Sequence, residues 1–283
     1  IVTENGSVTL DASAVEALAQ DGKDVSVSVK KNADGSTTFD VSADNERADT
    51  AIKVELPAGD GQVVTVIHAD GSEEILKKSF VENGKAYAEI PAGTTVKVID
   101  NAADFLDVEE DAWYADAVDF ASSHELFQGV GDGQFAPDEP MTRAMLATVL
   151  YRLEGAAVSG ENPFADVADG AWYTDAVIWA SEKGIVMGDG DGFAPMENVS
   201  REQIAAMLYR YAKELGLDTS GSASLSKFRD GGDTADWAKE AMQWAVSAGL
   251  FRGYEDGALN PKGNATRAEV ATILMRLVKC IAK

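Results

Sequence analysis

Three stretches of the chain can be laid on one another, and no other feature limits its possible folds as much. They read FLDVEEDAWYADAVDFASSHELFQGVGDGQFAPDEPMTRAMLATVLYRL, FADVADGAWYTDAVIWASEKGIVMGDGDGFAPMENVSREQIAAMLYRY and FRDGGDTADWAKEAMQWAVSAGLFRGYEDGALNPKGNATRAEVATILMRL. Trp113, Trp172 and Trp237 are matched, as are Arg143, Arg201 and Arg267, at separations of 30, 29 and 30 residues. Self-similarity at near-constant spacing over three copies marks a repeat architecture. A unit of about 50 residues buries too little surface to be secure alone, so the copies are expected to pack together. The stretches EGAAVSGEN and GLDTSGSASLS between them are small, polar and Gly/Ser-rich, as linkers are.

Each copy holds two helical patterns. In the first, Trp113, Ala117, Phe120, Ala121 and Leu126 fall on one face, matched by Trp172, Ala176, Trp179, Ala180, Ile185 and by Trp237, Ala241, Trp244, Ala245, Leu250. Gly129, Gly188 and Gly253 stand where a left-handed residue would close these helices. After a Gly/Asp/Pro loop, the second helix shows Leu146, Ala147, Leu150, Leu153, then Ile204, Ala205, Leu208, Tyr211, then Val270, Ala271, Leu274, Leu277.

Residues 1–102 follow another rhythm. DVSVSVKK and TTFDVSA alternate apolar and polar residues around the turn NADG, and AIKVEL, QVVTVIHAD, KAYAEIP and TTVKVID continue the alternation. Asp70-Gly71 and Asn83-Gly84 mark bends, and Asp11 is placed to cap a short helix over ASAVEALAQ. His68 sits in an apparent strand with no second histidine near it in sequence, and reads as structural. The fold expected is therefore α+β in two regions. A small sandwich-like β-rich domain (1–102) precedes an all-α, pseudo-threefold trimer of helical hairpins, with copies at 103–157, 158–219 and 220–283.

Lys+Arg 24 against Asp+Glu 48 gives a net charge of −24, spread along the chain. Such surfaces are repelled by nucleic acid and by anionic lipid, so neither nucleic-acid binding nor membrane insertion is expected. No run of 18 apolar residues exists to form a spanning helix. The single cysteine, Cys280, forms no internal disulfide, which suits the cytosol and equally a bacterial surface protein without disulfides. The opening IVTENGSVTLD has neither a leader nor an initiator Met, so the chain is expected to be a piece of something longer. No Gly-x-Ser-x-Gly, His-Glu-x-x-His or triad pattern appears, and the carboxylates are too numerous for a glycosidase pair to stand out; no catalysis is expected. GDGDGF (188–193) lacks the third ligand and the distant glutamate of an EF-hand, so turns rather than a metal site are expected, and no cofactor.

The matched arginines need a separate account. Thr142, Ser200 and Thr266 occupy N-cap positions before the second helix, with Met145, Gln203 and Glu269 three residues on. Copies two and three thus spell a capping box, which copy one has lost. Arginine at the first helical position opposes the macrodipole, at roughly 0.3–1 kcal/mol if exposed. Free N–H groups at the same helix end favour an anion. A guanidinium beside them describes a receptor for carboxylate or phosphate. Alternatively, the arginines pair with Asp107, Asp166 or Asp230 of a neighbouring copy, or stack on the matched tryptophans. Arg152, Arg210 and Arg276 lie near helix C-termini, where a cation needs no special role. The tryptophans read mainly as core, with an exposed edge at a groove as the alternative.

These features resemble the S-layer homology repeats. The resemblance rests on Phe105-Leu-Asp107-Val and Phe164-Ala-Asp166-Val with the following Trp, on the Gly-x-Gly-Asp-Gly-x-Phe-x-Pro loop from Gly129 to Pro137, and on Thr-Arg-Ala-Glu from Thr266 to Glu269. It covers about residues 105–279. It implies a module on the surface of a Gram-positive-type bacterium that binds non-covalently to an anionic secondary cell-wall polysaccharide. In that family the ligand often carries a pyruvate ketal on an N-acetylmannosamine-type sugar. The arginine of the Thr-Arg-Ala-Glu phrase meets the acid in grooves between copies, which carries over to Arg143, Arg201 and Arg267. Gly131, Gly190 and Gly253 are then loop glycines allowing close approach, and Asp107, Asp166, Asp230, Trp113, Trp172 and Trp237 complete the candidate set. Copy one reads TRAM and copy two SREQ, yet both keep the arginine. Copy three carries an insertion, FRDGGDTADW, and its loop GYEDGALNP lacks the second glycine, so its groove is expected to be the weakest or remodelled. The alternative function is a surface-layer lattice or adhesin in which repeats and β domain mainly self-associate. Residues 1–102 are expected to be a spacer or surface-protein domain.

Overall fold

The computed structural model describes residues 1–19, 23–59, 61–188 and 192–282. They form two compact units. The first comprises Ile1–Asp104, Asp119–Glu125 and the end of the chain from Val278; the second comprises Phe105–Val118 and Leu126–Leu277.

The first unit is a pair of antiparallel sheets. One has the order β1 (Val2–Thr3), β2 (Gly6–Thr9), β6 (Ala51–Pro57), β10 (Lys85–Pro91), β9 (Phe80–Glu82). The other runs β3 (Val25–Lys31), β4 (Thr37–Ala43), β11 (Thr94–Asp100), β7 (Gln62–Ile67), β8 (Glu73–Ile75), with β5 (Glu46–Arg47) on β4. Period-two alternation decides which face is buried. Ile52, Val54 and Leu56 lie opposite Ile90, Ala88 and Ala86 on the inner face of one sheet. Phe39, Val41, Val64 and Val96 of the other sheet complete one shared core, as the β-sandwich expectation required. Asn83 and Gly84 both have positive φ (54° and 77°), the two-residue turn that suits the twist of a hairpin. The short strands β1, β2, β5, β8 and β9 carry too little alternation to be read from sequence. The short helix α1 (Ala12–Leu18) forms, but Asp11 makes no side-chain cap bond. His68 lies just past β7, exposed, with Nε2 3.0 Å from the Glu74 carboxylate.

His124 in the same unit is 2% exposed. Its Nδ1 lies 2.9 Å from the Phe120 carbonyl and its Nε2 3.2 Å from Ser79 Oγ. A carbonyl only accepts, so Nδ1 carries the hydrogen of a neutral ring and Nε2 accepts from the serine. Burial pushes the ring's pKa down to about 4, against smaller opposing contributions from the bonds to Phe120 and Ser79. Between the unfolded value near 6.5 and that folded value, the unfolded chain binds a proton that the folded chain does not. Stability therefore falls as pH drops through this window, by up to roughly 3 kcal/mol from this residue. Urea unfolding of His124→Gln beside the parent at pH 7, 5.5 and 4.5 should show the variant's stability flatter with pH; identical slopes would reject the assignment.

The repeats supply α2 (Ala115–Ser123) with α3 (Arg143–Glu154), α4 (Thr174–Glu182) with α5 (Arg201–Glu214), and α6 (Lys239–Ser247) with α7 (Arg267–Ala282); α2 from Asp119 and α7 from Val278 are assigned to the first unit, and the rest lie in the second unit. The expected inner residues of α3, α5 and α7, from Leu146 to Leu277, are all buried. The expected all-α, pseudo-threefold trimer of hairpins is corrected, because this unit is mixed. Three 3-10 segments, at 225–227, 231–233 and 236–238, precede α6 in the copy with the insertion. Antiparallel β-bridges join the copies at Pro140–Thr266, Thr142–Asn198 and Ser200–Asn264. Around them Met141 N–H donates to Ala265 O (2.9 Å), Ala265 N–H to Val199 O (3.2 Å) and Val199 N–H to Met141 O (2.9 Å), a closed ring of extended backbone. Helical periodicity cannot reveal such pairing, which depends on distant segments meeting.

Two local expectations also change. The first helices end before Gly129, Gly188 and Gly253, and the left-handed residues after them are Glu125, Gly184 and Gly249. In copy one the capping box is present after all: Thr142 Oγ1 accepts from Met145 N–H (3.2 Å), and the Met145 sulfur accepts from Thr142 N–H (3.4 Å). Sulfur is a weak acceptor, so this side of the box is a feeble version of the glutamate one.

Candidate ligand-binding grooves

The loop between the two helices of each copy is fixed by the aspartate at its start. Asp107 accepts from Phe135 and Ala136 N–H (2.8 and 2.7 Å). Asp166 accepts from Phe193 and Ala194 N–H (both 2.7 Å), and Asp230 from Leu259 and Asn260 N–H (2.7 and 2.8 Å). Ala136, Ala194 and Asn260 all have positive φ, a conformation that these paired bonds hold in place. At Asp166 the bonds themselves are the leading cause of a carboxyl pKa below the ordinary range. At Asp107 and Asp230 burial pulls upward first, and the paired bonds outweigh it.

The same peptides receive the matched arginines from another copy. Nε of Arg143 donates to Phe193 O (2.7 Å), that of Arg201 to Leu259 O (2.9 Å) and that of Arg267 to Phe135 O (2.7 Å). One loop residue thus gives its N–H to its own copy's aspartate and its C=O to the arginine of another, and the third copy closes onto the first. Each guanidinium also lies over loop aromatic rings: Arg143 over Phe193 (4.6 Å), Arg201 over Tyr254 and Phe251 (4.7 and 4.9 Å), Arg267 over Phe135 and Phe127 (4.6 and 5.3 Å). The stacking partners are these rings rather than the matched tryptophans. Arg201 and Arg267 are each 5% exposed.

This placement explains the cation at the helix start. The first two N–H groups of α3 donate to Glu197 O and Pro195 O, those of α5 to Gly263 O and Pro261 O, and those of α7 to Glu139 O and Pro137 O. The third N–H goes to the capping hydroxyl in every case. The helix ends expected to offer free N–H groups to an anion are therefore already filled by carbonyls. Neighbouring carbonyls of the same loops, Phe193, Leu259 and Phe135, turn the negative ends of their dipoles to the guanidinium groups, so the macrodipole conflict is offset locally.

Three grooves result, each lined from all three copies. The Arg143 groove (about 690 Å³) takes Arg143 from copy one, Met187, Gly188 and Arg210 from copy two, and Trp237 from copy three. The Arg201 groove (about 420 Å³) takes Arg201 from copy two, Gly253 and Arg276 from copy three, and Trp113 from copy one. The Arg267 groove (about 310 Å³) takes Arg267 from copy three, Gly129 and Arg152 from copy one, and Trp172 from copy two. The tryptophans are not core: they are 67%, 57% and 58% exposed, in chain order. Trp113 and Trp172 stand just before α2 and α4, and Trp237 lies in a 3-10 turn, so the helical stripe did not apply to them.

Arg152, Arg210 and Arg276 were given no role from sequence, yet each lines a groove and donates through Nη1 to Leu126 O, Ile185 O or Leu250 O (3.1, 3.3 and 2.9 Å). Burial lowers the pKa of all three. Their recurrence nine residues after the first arginine, in every copy, was the available signal. Gly253 and the equivalents Gly129 and Gly188 line the grooves; a Cβ on Gly253 would meet Phe228 at 2.5 Å and Ala258 O at 2.9 Å. Gly131 lies further along its loop in the left-handed region, and Gly190 falls outside the described residues. Among the described residues there is no group of three or more His, Cys, Asp or Glu placed to hold a metal ion.

Grooves that each contain two matched arginines and are lined jointly by three tandem copies define a repeat-built module. The family model for the S-layer homology domain matches residues 104–145, 163–205 and 227–271. This part of the chain belongs to the S-layer homology domain family. Similar proteins include an amylopullulanase of Thermoanaerobacterium thermosulfurigenes, 32% identical over 60% of this chain and 9% of that protein. An S-layer protein of Bacillus thuringiensis subsp. finitimus is 28% identical over 69% and 24%, and a cellulosome-anchoring protein of Acetivibrio thermocellus is 28% identical over 53% and 35%. The chain spans well under two thirds of each of these relatives, whose names range from enzyme to surface-layer protein. No helix among the described residues is long and apolar enough to cross a membrane.

Proposed function

We propose that the chain anchors a surface protein non-covalently to the wall of a Gram-positive-type bacterium. It does so by binding an anionic, pyruvylated cell-wall polysaccharide in the three grooves. The observation that carries this reading is the pairing of two guanidinium groups in every groove, Arg143 with Arg210, Arg201 with Arg276 and Arg267 with Arg152. In a protein of net charge −24, cations concentrated in clefts serve an acidic ligand. A pyruvate ketal offers a carboxylate for the guanidinium fork and an apolar methyl group and sugar face for the exposed tryptophan. The aspartates act by holding the loops. Residues 1–102 serve as a spacer, with copies at 103–157, 158–219 and 220–283. Repeated weak sites on one polymer raise retention through effective concentration. Any catalytic activity of a parent protein belongs to other parts of it.

Isothermal titration with purified wall polysaccharide, before and after chemical removal of its pyruvyl groups, tests this reading. Affinity should fall at least about tenfold on removal, the loss expected for charge-assisted hydrogen bonds. Equal affinity for both polymers would reject it.

A further inference from the structure

Carboxylates do not tell the three grooves apart. Asp166 and Glu197 line the Arg143 groove, Glu255 and Glu269 line the Arg201 groove, and the charges of Glu139 and Asp107 act on Arg267. The number of guanidinium groups does. At the residue before the groove glycine, copy one has Gln128, copy two Met187 and copy three Arg252. Arg267 Nη2 donates to the Gln128 carbonyl (2.9 Å) and Arg143 Nη2 to the Met187 carbonyl (3.2 Å), so in those copies this position lies beside the matched arginine. In copy three it adds a third guanidinium to Arg201 and Arg276 in one groove. Arg252 is exposed and, alone among the nine arginines, forms no hydrogen bond or ion pair with the described residues. The other eight hold carbonyls or carboxylates.

We propose that the Arg201 groove takes a glycan unit carrying two negative charges, selected by Arg252, while the other two grooves are built for one. The second charge is an acidic group next to the pyruvyl carboxylate, either a phosphate or the carboxylate of a uronic acid. Arg201 and Arg276 are fixed from within the protein, Arg201 by Leu259 O and Glu269 and Arg276 by Leu250 O. Arg252 keeps its whole donor fork for a ligand. Burial lowers the pKa of Arg276 first, and the charges of Arg252 and Arg201 lower it further; its counterparts Arg152 and Arg210 are lowered by burial alone. Like charges gathered in this way raise one another's energy until an anion arrives. The surrounding copy points the same way. Copy three (220–283) carries nine Lys and Arg against seven Asp and Glu, whereas copy one has two against twelve and copy two has four against eleven. A polyanion is therefore repelled least at the loop and helix that supply Arg252 and Arg276.

This inference rests on the anchoring reading, and each groove contains its own reporter. Indole N–H resonances of Trp113, Trp172 and Trp237, assigned with single Trp→Phe variants, report the Arg201, Arg267 and Arg143 grooves respectively. Three probes are titrated. The methyl glycoside of pyruvylated N-acetylmannosamine carries one charge. The same sugar as its anomeric methyl phosphodiester, and the same sugar linked to glucuronic acid, each carry two. At Trp113 one of the doubly charged probes should lower the midpoint at least about tenfold relative to the singly charged one. At Trp172 and Trp237 the gain should stay below about threefold. The probe that gains at Trp113 tells a phosphate source from a carboxylate source. Arg252→Gln, copying Gln128, should reduce the Trp113 gain to that of the other grooves with an unchanged thermal melt, because the exposed side chain holds nothing in place. Equal gains at all three tryptophans in the parent, no gain at Trp113 with either doubly charged probe, or a Trp113 gain that survives in Arg252→Gln would overturn the inference while leaving anchoring intact. If no resonance moves with any of the pyruvylated probes, the anchoring reading fails and this inference with it.

Discussion

Replacing Arg267 by lysine is expected to weaken binding at its groove at least about tenfold while the protein stays folded. Arginine performs three tasks there that an ammonium cannot combine. Nε and Nη2 hold the carbonyls of Phe135 and Gln128, and the planar group lies over Phe135. Arg267 lines its groove together with Arg152. Lysine is a strongly hydrated point charge without the fork, and can satisfy the loop or the ligand but not both. Losing two hydrogen bonds costs roughly 1–2 kcal/mol of stability. The measurement is the titration midpoint of the Trp172 indole N–H resonance, which reports the Arg267 groove, with the methyl glycoside of pyruvylated N-acetylmannosamine, together with a thermal melt. A folded variant with an unchanged midpoint would make Arg267 a packing residue.

The largest stability effect is expected from Gly253→Ala. The new Cβ would stand 2.5 Å from the Phe228 ring and 2.9 Å from Ala258 O, at a φ of +78°. Phe228 is itself buried, so the ring has nowhere to swing. Left-handed backbone costs an L-residue roughly 1–2 kcal/mol, and forcing atoms into a packed site adds about 1–3. A total near 3 kcal/mol is expected in urea unfolding. Gly249→Ala separates the two causes, because Gly249 has nearly the same φ (+75°) with nothing within 4 Å. It should lose only the conformational part, and equal losses in both variants would show that the contact is irrelevant.

Much of this was legible because the relevant physics is local. The capping positions Thr142, Ser200 and Thr266, the buried stripes of α3, α5 and α7, and the strands Thr37–Ala43 and Lys85–Pro91 each follow from hydrogen-bonding or packing needs within a few residues. Trp113, Trp172 and Trp237 were misread as core for the opposite reason. Their helical spacing was extended into segments that are not α-helical, and the side chains there stand exposed at the grooves. Arg152, Arg210 and Arg276 were passed over because a helix C-terminus already explained a cation.

The sequence by itself determined that a motif recurs three times, where its helices begin, and that each copy sets an arginine at an electrostatically unwelcome helix start. Only the tertiary structure decided what that arginine meets. Its partners are a carbonyl and aromatic rings 50 or more residues away, and the N–H groups beside it are filled by the backbone of the same distant loop. Hydrogen bonds and stacking act over a few ångströms of space and are indifferent to separation along the chain. Residue order can therefore announce a donor long before it can name the acceptor.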